Sequence, residues 1–282
     1  MLLEALQLPP ALHLNQKLTK KSFYENGQLS ASAQRLLQEQ VETIMIQAHI
    51  TPDNSNIPAY QTAQHEYLEL FVIQVTLKNN PHPDGHKTES SLNSSQLKTL
   101  HELVHKAIAY PILLEIKADQ QVQWSLAEKS VHQADSEHDK LIMNELIQTD
   151  WLDSGETTRL YALQGAGGMC LEQDFYNALR FDRQNQQNLY RLYQSLIHTF
   201  TRYQTARLTG ATRLPTNQNS GAEPDIAAQR AQLKHIQQLK KDIDELTNKL
   251  KTCAQFNEKV ALNIKLQNHK QRLEQIKAGA VE

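Results

Sequence analysis

The sequence feature that most constrains the fold is a nearly continuous apolar run, YLELFVIQVTL, at residues 67–77. An apolar run of this length between polar residues is typical of a strand that is covered on both faces. Such a strand needs neighbouring strands for its backbone hydrogen bonds and further elements against both sides of the sheet. We therefore predict that residues 67–77 form a central strand.

Helices and further strands are predicted on either side of this strand. Residues 30–50 carry apolar side chains at helical spacing behind Ser30 or Ser32 as N-cap, which predicts one helix. Residues 95–108 show the same spacing and must leave the helix before Pro111. Strands are predicted for YPILLEIKA and QVQWSLAEKSVH, which form a β-hairpin around Asp119-Gln120, and for LIMNELIQTDW and RLYALQG.

This order of elements predicts an α+β fold with a mixed, mostly antiparallel sheet and helices, followed by a long helix and a C-terminal coiled-coil-like helical arm. The predicted division is an α+β globular domain at residues 1–170, the long helix at 171–208, a flexible linker at 209–224 and the arm at 225–282. The linker prediction follows from its glycines and prolines.

The arm carries an apolar seam at heptad spacing. Its members follow one another at alternating intervals of three and four residues: Ile236, Leu239, Ile243, Leu246, Leu250 and Cys253. Continuing the seam places Asn257, Val260 and Ile264 in line, but Leu266, Leu273 and Ile276 fall two positions out of register. The arm therefore either turns back on itself or meets a second partner surface. The absence of glycine and proline from residues 225–278 favours one continuous helix.

A long helix that exposes an apolar seam needs a partner to cover it. The arm is therefore predicted to dock onto a larger protein or onto a second copy of the chain, with the two asparagines providing specificity. The predicted docking residues are Ile243, Leu246, Leu250, Phe256, Asn257, Val260, Asn263 and Ile264.

Charge and cysteine content limit the partners and the compartment. The arm has 11 lysines and arginines against seven acidic residues, whereas the rest of the chain has 18 against 24. A mildly basic arm on an acidic body can contact an acidic partner or, within a complex, DNA. Two cysteines form no disulfide framework, and no apolar run is long enough to cross a membrane, so a cytoplasmic location is expected.

The segment HELVH at residues 101–105 matches the H-E-x-x-H pattern of zinc hydrolases. In such sites two histidines on one helix face bind zinc, and the glutamate, here Glu102, activates water. However, the helix must end before Pro111 and no third ligand follows at a fixed spacing. A structural helix is the favoured interpretation, with a zinc site at His101 and His105 as the alternative, and no cofactor is predicted.

Asp84, Glu115 and Lys117 stand in the order of the PD-(D/E)xK nucleases, in which two acidic groups hold a divalent cation. Asp84 lies in a polar loop and a helix intervenes, so the geometry is poor. Glu115 and Lys117 alternate with apolar neighbours, which predicts that they lie on the exposed face of a strand.

A third alternative is direct DNA binding. Six arginines between residues 180 and 213 are interleaved with tyrosines, a combination that can contact phosphates and stack on bases. The arginines share no single helical stripe, so a solvated face is the favoured interpretation.

Several segments resemble a bacterial family known only as domain-of-unknown-function family 4391. They are NQKLTKKSFYENGQLS, KAIAYPILLEI, QWSLAEKSVH, IQTDW and QFNEKVALNIKLQNHKQRLEQI. One departure is Ala109, where the family pattern suggests proline. The resemblance implies a companion of helicase and methyltransferase proteins in phage-defence or restriction-modification islands, and it supplies no catalytic residues.

Together these observations predict a non-enzymatic accessory subunit that docks a helicase or methyltransferase through its arm. The alternatives are a metal-dependent hydrolase at one of the two motifs, and a DNA-binding subunit.

Overall fold

A computed structural model of the chain describes residues 1–21, 23, 29–78, 92–132, 140–154, 170–214, 226–253 and 255–279. The chain divides into two compact units. The first comprises Met1–Ala166 and Tyr176–Ile197, and the second comprises Gly167–Phe175 and His198–Glu282.

The first unit contains a mixed sheet in the strand order β1-β2-β5-β6-β7-β8, with the short β9 beside β7. Every pair in this sheet is antiparallel except β5 and β6. A separate two-stranded sheet pairs β3 with β4. The strands are β1 His13–Leu18, β2 Val41–Ile50, β3 Tyr60–Gln61, β4 Glu66–Tyr67, β5 Leu70–Leu77, β6 Ile112–Ala118, β7 Gln121–His132, β8 Lys140–Gln148 and β9 Leu152–Asp153.

The helices of the described residues are α1 Leu2–Leu6, α2 Ala31–Gln40, α3 Pro52–Ser55, α4 Ser94–Ala107, α5 Leu171–Leu179, α6 Leu189–Thr209, α7 Ile226–Thr252 and α8 Phe256–Gly279. Two 3-10 turns lie at Pro10–Leu12 and Phe181–Arg183. The predicted α+β fold with a mixed, mostly antiparallel sheet and a helical C-terminal region is confirmed. No helix in the described ranges combines the length and the apolar content that crossing a membrane requires.

Residues 70–77 of the apolar run form β5, which lies between β2 and β6 as predicted for a central strand. Tyr67, at the start of the run, instead belongs to β4. Ile73 and Val75 belong to an apolar core that also contains Leu37 of α2 and Leu100 of α4. Val72, on the opposite face of the strand, is also buried. Both faces of the strand are therefore covered, which explains its lack of polar alternation.

Helix α4 makes the crossover between the parallel strands β5 and β6. Its start is fixed by a capping box, in which the Asn93 side chain accepts from the Gln96 backbone N–H at 2.9 Å and the Gln96 side chain accepts from the Asn93 N–H at 3.0 Å. It ends at Ala107, before Pro111, as the sequence predicts.

The predicted β-hairpin between β6 and β7 is confirmed, with Ala118 opposite Gln121. Asp119 has φ 49°, in the left-handed region that short polar side chains tolerate better than other non-glycine residues. The strand predicted for LIMNELIQTDW corresponds to β8, and RLYALQG lies outside the described residues.

The single helix predicted for residues 30–50 is wrong in its second half. Ser30 caps α2 as predicted, since its hydroxyl accepts from the Ala33 N–H at 3.3 Å. The helix ends at Gln40, and the following ten residues form β2 between β1 and β5. This segment is rich in β-branched residues, including Val41 and Ile44, and pairing on both edges outweighs its apparent helical spacing.

The predicted long helix at residues 171–208 contains two helices, α5 and α6. The Gln184 amide donates to the carbonyls of Ala178 and Arg180 at 2.7 and 3.1 Å and so satisfies the end of α5. Asn188 accepts from the Arg191 N–H at 2.9 Å at the start of α6. Side chains that cap both ends therefore stabilise the interruption. Most of the predicted linker, residues 215–224, lies outside the described residues.

A row of hydrogen-bonded side chains crosses four strands of the sheet. Gln47 of β2 donates to Gln74 of β5 at 3.2 Å, and Gln74 donates to Glu115 of β6 at 2.6 Å. The other oxygen of Glu115 accepts from the Trp124 indole of β7 at 2.8 Å and from the Leu2 backbone N–H at 2.6 Å. Glu115 is only 2% exposed, so these donors replace water around its carboxylate.

Replacing Glu115 with alanine should lower the free energy of unfolding by about 3 kcal/mol, because three donors would lose their acceptor in a buried site. Glu115→Gln should lose less, since it retains an acceptor oxygen. Lys117→Ala on the same strand is the control and should cost under about 1 kcal/mol. Urea unfolding measures the free energy of unfolding of all three variants. Equal losses for Glu115→Ala and Lys117→Ala would show that the hydrogen bonds to the Glu115 carboxylate do not stabilise the sheet.

Candidate functional site

The two histidines of HELVH lie on the inner side of α4 and are fully buried. His101 contacts two residues of β7, with Nδ1 at 2.7 Å from the Ser125 hydroxyl and Nε2 at 2.9 Å from Gln123 Oε1. His105 Nε2 lies 2.9 Å from the same hydroxyl.

These contacts define one consistent set of proton positions. Gln123 Oε1 only accepts, so His101 carries its proton on Nε2 and its Nδ1 accepts from the Ser125 hydroxyl. The hydroxyl oxygen in turn accepts from Nε2–H of His105. Both rings are then neutral, and burial lowers the pKa of His101 to about 4 and the pKa of His105 well below its usual value.

A zinc ion does not fit this arrangement. Both ring nitrogens of His101 are engaged by β7, and a zinc ligand needs one of them free. Among the residues that the structure describes, no cluster of three His, Cys, Asp or Glu side chains could hold a metal. Glu102, the proposed base, instead lies within 4.0 Å of Lys98 and 3.5 Å of Lys106 along the helix. The structural interpretation of HELVH is therefore favoured.

Close to these rings, the ammonium of Lys129 is buried and donates to the carbonyls of Ile108 and Tyr110, just beyond the end of α4. Burial lowers the pKa of Lys129 to about 7. The lysine thus satisfies carbonyls that follow the helix end.

Acid should destabilise the protein between pH 6.5 and about 4. In this window a histidine of the unfolded chain binds a proton that folded His101 does not bind. Proton binding therefore stabilises the unfolded state, and the free energy of unfolding falls by about 3 kcal/mol for His101 alone. His105 acts in the same direction, as does His198 of the second unit, whose pKa burial lowers to about 4. The measurement is urea unfolding at a series of pH values.

The matched variants are His101→Gln and, at an exposed position, His13→Gln. The first should reduce the slope of stability against pH, and the second should leave it unchanged. A His101→Gln slope equal to that of the wild type would show that the buried ring is not the group that resists protonation.

The nuclease constellation is not assembled in the described residues. Asp84 lies outside them. The prediction that Glu115 lies on an exposed face is wrong, because its carboxylate is buried and already accepts from Gln74, Trp124 and Leu2. Lys117 is half-buried.

The arginines proposed for DNA contact are partly neutralised by acidic neighbours. Arg180 pairs with Asp182 at 2.7 Å in the first unit. In the second unit Arg213 pairs with Asp174 at 2.6 Å and Arg207 with Glu172 at 3.4 Å. The interleaved tyrosines Tyr193 and Tyr203 are buried, so neither presents a ring to a base.

The arm forms two helices that pack on each other, α7 and α8, here called the helical hairpin. The prediction of one continuous helix is wrong. Leu233, Ile236 and Leu239 of α7 are buried, as are Leu266 and Leu273 of α8. The two out-of-register apolar lines that the sequence shows therefore belong to two helices, and each line helps to cover the other.

Seven of the eight predicted docking residues separate into two groups. Ile243, Leu246 and Leu250 are half-buried and continue the α7 line within the helical hairpin. Asn257, Val260, Asn263 and Ile264 of α8 are exposed. Phe256 begins α8, and its side chain lies outside the described part of the chain.

Val260 and Ile264 lie on the side of α8 opposite its buried leucines, because successive residues of an α-helix advance by about 100°. We call this side the outer face. Its members are all exposed and uncharged: Asn257, Val260, Ile264, Gln267, Asn268, Gln271 and Gln275. Asn263 lies at its border. Sequence analysis identified the start of this face, including Asn257, and missed its glutamines, because it continued the seam only as far as Ile264.

Comparison with known proteins identifies one family. A family model described as a domain of unknown function (DUF4391) matches residues 6–273, nearly the whole chain. No curated protein and no solved structure matches the chain.

Proposed function

The chain belongs to this family of unknown function, and we propose that it is a non-enzymatic accessory subunit that docks a larger protein through the outer face of α8. The sequence resemblance described above favours a helicase or methyltransferase of a phage-defence or restriction-modification-like complex as the partner. DNA is then contacted by the complex.

The observation that carries this proposal is the exposure of two aliphatic side chains one helical turn apart. Val260 is 44% exposed and Ile264 is 57% exposed, on a helix whose opposite side is already buried. Helices α7 and α8 pack on each other through their buried apolar residues, and this packing does not use Val260 and Ile264. Adjacent exposed aliphatic residues among uncharged neighbours are typical of a protein-binding surface.

The polar clusters of the first unit support the same proposal. Glu115 accepts from three donors, and His101 has partners at both ring nitrogens. Catalytic groups need a free atom that faces substrate. These groups are instead buried and hydrogen-bonded within the fold.

Replacing Val260 and Ile264 together with glutamine should weaken partner binding about 30- to 100-fold. Covering two half-exposed aliphatic side chains contributes about 2–3 kcal/mol, and glutamine removes that gain while preserving helix propensity. The partner would first be identified by affinity capture from the native host with mass spectrometry. Its affinity for purified full-length variants would then be measured by calorimetry.

The matched control is Ile142→Gln, which removes a 40% exposed aliphatic side chain from β8 of the first unit. This variant should bind the partner as the wild type does. Equal affinity of the Val260→Gln/Ile264→Gln variant and the wild type would place the docking surface elsewhere on the chain. Circular dichroism of each variant checks that the helices are retained.

A further inference from the structure

The second unit contains an arginine whose charge is shielded from water and has no acidic partner. Arg202 of α6 is half-buried, and its neighbours Thr201 and Tyr203 are almost fully buried. Burial lowers the pKa of Arg202, so the guanidinium itself, and not only its aliphatic stem, is shielded from water. No hydrogen bond or ion pair joins this guanidinium to another residue that the structure describes.

The arginines that follow Arg202 in the second unit are paired. Arg207 Nη1 lies 3.4 Å from Glu172 Oε1, and Arg213 Nε lies 2.6 Å from Asp174 Oδ2. Both of these arginines are more exposed than Arg202. A shielded charge needs an opposite charge or hydrogen-bond acceptors more than an exposed charge does. Arg202 therefore retains the capacity to bind an anion.

Arg202 lies close to the contact between α6 and α7. His198, one helical turn before Arg202, contacts the side chain of Gln229 in α7. Arg230 follows Gln229, and its Nε and Nη2 atoms are buried. Burial, followed by the positive charge of Arg202, lowers the pKa of His198 to about 4, so this ring is neutral at pH 7. Each of the two helices thus brings one guanidinium to the contact.

The charge of this contact favours a phosphate group over a carboxylate. Two guanidinium groups repel each other where little water screens them, and a phosphate monoester with nearly two negative charges offsets both. Its oxygens also match the fork of N–H donors that a guanidinium presents. The second unit contains fourteen lysines and arginines against ten acidic residues, so its net charge attracts anions.

We infer that the second unit binds a phosphate group at Arg202, where α6 contacts α7. The guanidinium of Arg202 donates two parallel hydrogen bonds to phosphate oxygens, and Arg230 adds a second positive charge. The phosphate belongs either to a small phosphorylated molecule or to the backbone of a nucleic acid, since both present oxygens of the same kind. This site goes beyond the proposed docking function and does not depend on the outer face of α8.

Inorganic phosphate is the first probe, added to the full-length protein in a buffer without other phosphate. Thermal unfolding is compared with that in sodium chloride of equal ionic strength, so that general screening is the same in both. At about ten times its Kd, phosphate should raise the Tm of the wild type by roughly 2–4 °C relative to chloride. Equal Tm values in the two salts would overturn the inference.

Variants at position 202 test whether the guanidinium is the ligand. Arg202→Met removes the charge, keeps an unbranched stem and should weaken phosphate binding at least about tenfold. Arg202→Lys keeps the charge without the fork and should bind phosphate with intermediate affinity. The control Arg272→Met removes an exposed arginine of the same unit and should respond to phosphate as the wild type does. An undiminished phosphate response of Arg202→Met would overturn the inference.

The Tm of Arg202→Met in chloride distinguishes a binding role from a structural one. Because the shielded charge has no partner in the folded protein, its removal should leave the Tm unchanged or raise it. A lower Tm of Arg202→Met in chloride, together with no effect of phosphate on the wild type, would show that the guanidinium stabilises the fold and would overturn the inference.

A fluorescent DNA of about 20 nucleotides, single-stranded or duplex, distinguishes the two sources of phosphate. Salt-sensitive binding that Arg202→Met weakens at least about tenfold assigns the site to a nucleic-acid backbone. Stabilisation by inorganic phosphate without DNA binding assigns it to a small phosphorylated molecule. If phosphate and DNA both fail to bind but Arg202→Met loses the native partner in affinity capture, the site binds a protein carboxylate and the phosphate assignment is overturned.

Discussion

The first unit depends on a carboxylate that the sheet encloses. Glu115 lies at the centre of a sheet whose two faces are both covered, and a charge in that position is stable only if donors replace water. Gln74, Trp124 and the backbone N–H of Leu2 supply them, so one side chain joins β5, β6, β7 and the N-terminal segment. The Glu115 carboxylate thereby fixes the positions of β5, β6 and β7 and of the first residue of α1 relative to one another.

The same requirement explains why Glu115 and the two histidines of HELVH have structural roles. Polar groups beneath a covered sheet need partners within the protein, so His101 contacts Ser125 and Gln123 and His105 contacts Ser125, just as Glu115 accepts from its donors. Residue type and spacing match a zinc hydrolase or a nuclease, but both ring nitrogens of His101 and both carboxylate oxygens of Glu115 are already hydrogen-bonded, and the side chains of His101, His105 and Glu115 are all buried. Burial decides the outcome, and a short motif does not encode burial.

Local chemistry made much of the fold predictable from sequence. The nearly continuous apolar run that contains β5, the turn at Asp119 and the end of α4 before Pro111 follow from short-range rules, and the structure agrees with them. The boundary at Gln40 was missed because Val41, Ile44 and Met45 fit helical spacing, whereas register shifts in β2 disrupt the alternation that would indicate a strand. Only pairing with β1 and β5, which lies outside the segment itself, decides between the two.

The helical hairpin shows that the register of apolar residues predicts a turn in the arm better than the absence of glycine and proline predicts a continuous helix. Residues 225–278 contain no glycine or proline, yet the chain turns between Thr252 and Phe256. A single helix would expose both the α7 line and the displaced line through Leu266 and Leu273, whereas a turn lets each cover the other. Once those two lines are assigned to each other, Val260 and Ile264 are the large apolar side chains that the described part of α8 leaves exposed. The proposed docking surface is thus defined by the side chains that intramolecular packing does not use.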